Sequence, residues 1–277
     1  MNYRHSFHAG NFADVLKHLV VLEILDYLLQ KPKPICYVDT HAGRGLYDLG
    51  SVDTGKTQEA ALGIGLIRSQ TEIPEHVAKY LAIIAAINSD YGSQDKYYPG
   101  SPLMARHCLR AGDRMVLSEL HPDELAILKA LFQGEPRAAL HHLDAYQGLK
   151  AFLPPFERRG LVLIDPAFEV KDEFARIVAG LEQALHRFVT GVYAIWYPIK
   201  DETAVKQFIG ELRRLSGDRV LTVSLQPYAD DYAFGLKACG MAVLNPPWQL
   251  AQKLTALMPW LWRALSPHGQ GYYRIDN

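Results

Sequence analysis

Three short apolar runs in this chain each stop on a carboxylate, and the stretches between them carry helical periodicity. They are Ile35-Cys36-Tyr37-Val38-Asp39, Arg114-Met115-Val116-Leu117-Ser118-Glu119 and Gly160-Leu161-Val162-Leu163-Ile164-Asp165. Runs this short and this apolar suit buried strands better than helices. Further strand candidates lie at 138–141, 191–196, 219–225 and 241–245, with a possible last one near Tyr272. Strands alternating with helices predict an α/β fold, a mostly parallel sheet covered on both faces. Ligands of such sheets bind beyond the carboxyl ends of the strands, which is where the acids fall.

One gap breaks the alternation. Residues 11–29 follow a helical period and predict an amphipathic helix, stopped by Lys31-Pro32-Lys33-Pro34. After the first strand and its glycine-bearing turn Thr40-His41-Ala42-Gly43-Arg44-Gly45, about seventy residues pass without a good strand. Within them 57–68 and 75–91 read as helical and 92–100 as a polar loop. The predicted organisation is a core of residues 1–50 and 99–277 with a small helical insertion at 51–98.

Composition narrows the setting. The net charge is −1, from 29 basic and 30 acidic residues, so a nucleic-acid substrate has to be held by a local patch or a shaped pocket. The three cysteines, Cys36, Cys108 and Cys239, are scattered, which implies neither a disulfide framework nor a zinc site. No apolar run reaches membrane-spanning length and the amino-terminal residues lack an apolar signal core, so a cytoplasmic protein is expected. His5, His8, His18 and His41 match no metal-ligand spacing, and no metal is expected.

The strand ends carry the chemistry. Gly43 permits close backbone approach, an acid after the second strand (Glu119) suits ribose hydroxyls, and Asp144, after the third, suits an adenine amine. Each also has a plainer reading: Gly43 as a tight turn, Glu119 and Asp144 as helix caps. The nicotinamide alternative wants a third glycine, and Leu46-Tyr47-Asp48 follows Gly45 instead. The fourth strand ends in Asp165-Pro166-Ala167-Phe168. The Asp165 carboxylate and the Pro166 carbonyl can accept from an exocyclic NH2, and the Phe168 ring can stack on a base for roughly 1–3 kcal/mol. That combination points to methylation of a nucleobase amine. Asn245-Pro246-Pro247-Trp248 repeats the design and predicts a rigid turn rather than a second pocket wall. The leader Tyr3-Arg4-His5-Ser6-Phe7-His8 interleaves aromatic and basic groups, as a contact to an unpaired nucleotide would.

The leader and its continuation through Ala13-Asp14-Val15-Leu16-Lys17-His18, the 39–47 turn, Tyr97-Tyr98-Pro99-Gly100-Ser101-Pro102, Glu119-Leu120-His121-Pro122, the Asp165 turn and Asn245–Trp248 together resemble the RlmJ family, 23S rRNA adenine-N(6)-methyltransferases. The likeness runs end to end and in order. It implies a class I methyltransferase fold, Rossmann-like with a mostly parallel seven-stranded sheet and a small helical insertion. It also implies S-adenosylmethionine as donor and one adenine of 23S rRNA as target. By matched position, His18, His41, Ser101, Glu119, Asp144 and Ala145 hold the donor together with Gly43. Asp165 engages the amine with Pro166 and Phe168, and Tyr3, Arg4, His5 and Lys17 meet the RNA. A monomer is expected. The family's turn usually reads Asp-Pro-Pro, so Ala167 implies a slightly looser pocket. The alternatives are a DNA adenine methyltransferase and a donor-binding rRNA assembly factor without turnover.

Overall fold

The computed structural model describes residues 5–50, 58–217, 219–232, 235–266 and 268–277. Its main sheet joins β1 (Cys36–Asp39), β4 (Arg114–Ser118), β5 (Ala138–His141), β6 (Gly160–Ile164), β7 (Val192–Pro198), β8 (Val220–Gln226), β9 (Cys239–Leu244) and β10 (Tyr272–Asp276). The order is β10-β8-β9-β7-β6-β1-β4-β5. Strands β5, β4, β1, β6 and β7 run parallel, whereas β9 is antiparallel to both β7 and β8. The expected seven strands are therefore eight. The extra one, β10, pairs antiparallel with β8 at the sheet's edge, and its Tyr-Tyr-Arg-Ile-Asp sequence stays mostly exposed. An edge strand of that polarity carries little apolar signal.

The parallel strands have no polar face because helices cover both sides. All five residues of β6 and all four of β1 are buried. Helices α6 (Ala145–Phe152), α7 (Glu173–Arg187) and α8 (Glu202–Ser216) cover one face; α1 (Phe12–Leu29), α4 (Ser101–Cys108) and α9 (Leu250–Leu265) pack on the other. Helix α5 (Pro122–Leu131) links β4 to β5.

Helix α1 departs from expectation. Instead of an amphipathic surface helix it is buried on nearly every side, with Asp14, Lys17 and His18 among its buried residues. The cause is a second layer: the segment around α2 (Leu66–Arg68) and α3 (Glu75–Asp90) packs over it, so α1 lies between that segment and the sheet. Asn11 caps α1, its side-chain oxygen accepting from the Ala13 and Asp14 amides at 3.0 Å each.

The stretch 92–100 is likewise not all loop. Tyr97–Pro99 forms β3, antiparallel to β2 (Leu46–Asp48). The Asn88 side chain holds it in place by donating to the Tyr97 carbonyl and accepting from the Tyr97 amide, both at 2.8 Å. This ribbon ties together the two ends of the segment between β1 and α4.

A π-helical turn, Ala61–Gly65, leads into α2 and presses on the start of α1. The Ile64 amide donates to the Gly10 carbonyl at 2.8 Å. A Cβ on Gly63 would collide with the Gly10 carbonyl and stand 2.6 Å from Asn11 Cα. Gly63→Ala is therefore expected to lower stability by about 1–3 kcal/mol, as overpacking does. Urea denaturation measures it, and an unchanged midpoint would refute the close packing.

Candidate active site

Beyond the carboxyl ends of β1, β4 and β6 lies a cavity of about 610 Å³. That volume suits a drug-sized ligand with room to spare. Every candidate site residue within the described part of the chain lines it. Tyr3 and Arg4 fall outside the described residues.

At one end, Gly43 adopts a left-handed backbone at φ +60° and its amide donates to Glu119 Oε2 at 2.8 Å. Glu119 Oε1 accepts from the His121 amide at 2.7 Å. The cap reading of Glu119 does not hold, because His121 is the residue that caps α5. A carboxylate with two backbone donors retains lone pairs for hydroxyls. Burial raises the Glu119 carboxyl despite those amides. Asp144 does cap its helix: one oxygen accepts from the Tyr146 and Gln147 amides, and the other takes Arg176 at 3.1 Å. Ala145 begins α6 against the cavity and is buried.

Between the two ends sit Ser101, Asp39, His41 and His18. Ser101 Oγ and Tyr37 Oη both donate to Asp39 Oδ2, at 2.6 and 2.8 Å. Burial pushes the Asp39 carboxyl up to about 6, against the pull of those hydroxyls. His41 Nδ1 lies 2.9 Å from Thr40 Oγ1. His18 places Nδ1 against Tyr98 Oη at 2.8 Å, and burial pushes the imidazole down to about 3.

At the far end stands Asp165. Its Oδ2 accepts from Lys17 Nζ at 2.6 Å, and the same ammonium donates to Asp14 Oδ1 at 2.7 Å. Asp14 Oδ2 in turn meets His5 Nε2 and the Gly10 amide, each at 2.9 Å. Burial opposes the Lys17 charge, yet the two carboxylates raise its ammonium well above the ordinary value. Burial opposes the Asp14 charge too, and His5 and Lys17 outweigh it, holding the carboxyl well below its usual range. Lys17, expected to meet RNA, has 6% of its side chain exposed and its charge held by two acids. His5 lines the cavity edge-on to the Tyr47 ring.

Phe168 follows in a left-handed conformation at φ +52°, rare for an aromatic residue. Phe174 and Trp196 hold its ring at 5.0 and 5.8 Å between centroids. Asn245–Trp248 is not at this end of the sheet: Asn245 Nδ2 donates to the Val189 and Gly191 carbonyls, ahead of β7. The rigid-turn reading fits that placement.

Sequence reasoning missed the Asp14–Lys17 pair, Tyr98, and the Arg176 partner of Asp144. Two opposite charges three residues apart in a mostly apolar helix were the available signal for the first. Nothing in the spacing announces the other two.

A doubly wound sheet in this order, its last strand before β8 reversed, with a nucleoside-sized cavity at the strand ends, defines a class I methyltransferase. The chain belongs to the family described as ribosomal RNA large subunit methyltransferase D, RlmJ, whose family model matches residues 32–277. It is 43% identical to ribosomal RNA large subunit methyltransferase J of Escherichia coli (strain K12), covering 100% of this chain and 98% of that protein. It is 42% identical to the protein of the same name from Haemophilus influenzae, with the same coverage. Among solved structures, a Legionella pneumophila protein superposes with a TM-score of 0.88 at 35% identity over 98% of each chain.

Replacing Lys17 by Met leaves two carboxylates without their shared cation, so stability is expected to fall by about 3–5 kcal/mol. Chemical denaturation reads the loss, and a wild-type midpoint would show that the pair is solvated. A second expectation concerns pH. The folded state keeps His18 neutral down to about 3, while in the unfolded chain the ordinary value is 6.5. His18 therefore leaves stability unchanged above pH 6.5 and lowers it progressively as pH falls through that window. Asp39, raised from 3.8 to about 6, acts oppositely between those values. Denaturation midpoints at several pH values should show the wild type losing stability relative to His18→Gln as pH falls below 6.5; a difference between the two that does not change with pH would rule His18 out as a source.

Proposed function

We infer that this protein transfers a methyl group from S-adenosylmethionine to the exocyclic amine of an adenine in 23S rRNA. One observation carries the reading: an acid-proline turn suited to an amino-bearing base and a glycine-and-acid turn suited to a nucleoside share one cavity. The donor test rests on the cavity itself. Gly43 offers close backbone approach, Glu119 keeps lone pairs for hydroxyls, and His18 Nε2 is a buried polar atom with no partner among the described residues. These groups fit a nucleoside bearing an amino acid. We assign His18, His41, Gly43, Ser101, Glu119, Asp144 and Ala145 to that ligand.

When bound, the donor supplies an electrophilic methyl on a sulfonium. The protein's part is alignment and charge. Lys17 occupies Asp165 Oδ2 and leaves Oδ1 for an amine hydrogen. A second amine hydrogen goes to the Pro166 carbonyl. Both bonds favour a nitrogen lone pair aimed at the methyl, and holding reactants in line supplies much of the rate effect. As methyl transfer places positive charge on the amine nitrogen, the nearby carboxylate stabilises it. Phe168 stacks on the base. The base has to leave its stack to arrive, which favours unpaired or loosely structured RNA.

Three further assignments belong to this reading. His5, which lines the cavity, and the leader residues Tyr3 and Arg4 meet the RNA. Residues 51–98 form an inserted helical subdomain, supported by the β2–β3 ribbon that closes its two ends. The protein works as a cytoplasmic monomer, its three cysteines free, in chemistry that calls on no metal; among the described residues no helix is long and apolar enough to cross a membrane.

The test is transfer from labelled donor to protein-free 23S rRNA, with mass mapping of the product. Asp165→Ala is expected to abolish transfer while calorimetry still finds donor binding. Lost donor affinity would remove Asp165 from the catalytic role, and transfer to duplex DNA but not rRNA would replace the substrate.

A further inference from the structure

The unpartnered Nε2 of His18 ends a row of three buried polar groups. Nδ1 of the same ring lies 2.8 Å from Tyr98 Oη, which lies 2.9 Å from Tyr80 Oη. Tyr80 and Tyr98 are fully buried, and His18 is 1% exposed. Tyr80 comes from α3 and Tyr98 from β3, so the row runs from the segment packed over α1 to the cavity wall. Burial keeps the imidazole neutral at physiological pH, so the ring carries one proton, on one nitrogen or the other.

Counting protons along the row decides which. Each tyrosine hydroxyl has one proton to donate. If Tyr80 donates to Tyr98 and Tyr98 donates to Nδ1, both are used, and the ring proton sits on Nε2. In the reverse order Nδ1–H donates to Tyr98 and Tyr98 to Tyr80. The Tyr80 proton then has no acceptor among the described residues, in a core that water does not reach. The reverse order thus strands both the Tyr80 proton and the Nε2 lone pair, whereas the first leaves only Nε2–H, on a ring that lines the cavity where a ligand or water can accept from it, so the reverse order is the costlier.

We propose that Tyr98 fixes His18 in the Nε2–H tautomer, so that this wall of the cavity presents a hydrogen-bond donor and selects an acceptor-only group, the carboxylate of the bound ligand. The proposal rests on the donor-binding reading above, in which the amino-acid portion of S-adenosylmethionine supplies that carboxylate. Lys17, next on the helix, has its ammonium engaged by Asp14 and Asp165. That leaves His18 as the α1 side chain able to meet the carboxylate. Tyr98 is a positioning residue, acting through the imidazole.

Nitrogen-resolved NMR of 15N-histidine-labelled full-length protein, with no ligand added, reads the tautomer directly. An Nε2–H pattern for His18 is expected, and an Nδ1–H pattern overturns the proposal. The second arm compares S-adenosylhomocysteine with its decarboxylated analogue by calorimetry. Tyr98→Phe should weaken the first by about threefold to tenfold, the worth of one supported hydrogen bond, and leave the second unchanged. Equal weakening of both, or of neither, overturns it. Tyr80→Phe removes a hydroxyl from the same buried spot yet leaves Nδ1 as the acceptor for Tyr98. Its ring pattern should therefore stay wild-type; a switch to Nδ1–H would overturn the assignment to Tyr98. Should Tyr98→Phe fail to fold, the wild-type ring pattern still decides. Wild-type protein that shows the Nε2–H pattern but binds no S-adenosylhomocysteine would strike the donor reading and leave the tautomer standing.

Discussion

The ammonium of Lys17, shared between Asp14 and Asp165, is the contact on which the site's geometry turns. It joins the first helix to the end of the fourth parallel strand across 148 positions of chain. A lysine with two acids around it stays charged despite deep burial. The Asp165 carboxylate is thereby tied in place at the cavity wall. The same bond sets where the helix lies on the sheet, so fold and chemistry share a single ion triad. Buried ion pairs are poor sources of net stability and good sources of uniqueness in some systems. Here the triad ties α1 to the strand end that lines the cavity.

That docking needs a roof. A helix carrying Asp14, Lys17 and His18 among its leucines and valines could not be covered on all sides unless those groups found partners. The layer formed around α2 and α3 supplies one of them, Tyr98 meeting His18 at the ribbon, and its Glu59 also meets His8 and Asn11 ahead of the helix. The layer over α1 is in this way part of the cavity's polar wiring as well as its packing.

How far the sequence disclosed all this varies from residue to residue. The strands β1, β4 and β6 were legible because burial on both faces demands unbroken apolar runs, and their terminal acids marked the cavity. The eighth strand was only hinted at, since an exposed edge needs no apolar pattern. Helix α1 was placed within a residue but given the wrong environment, because periodicity in one helix says nothing about what covers its other side. The partners of Lys17 were hidden for a related reason, because only the fold brings Asp165 to within 2.6 Å of its ammonium. Pairings across large sequence separations, such as Arg176 with Asp144 or Tyr98 with His18, leave no local trace.

Strand direction settles a final point of chemistry. Asp165 and Asn245 each open a proline turn after a buried strand, and each is followed closely by an aromatic residue. Strand β9 is reversed against β7, so the Asn245 turn emerges at the opposite rim, where its amide nitrogen serves two backbone carbonyls and Trp248 is left 77% exposed. Two nearly alike tetrapeptides thus acquire unrelated surroundings from polarity alone, one lining the cavity and the other clasping backbone at the far rim.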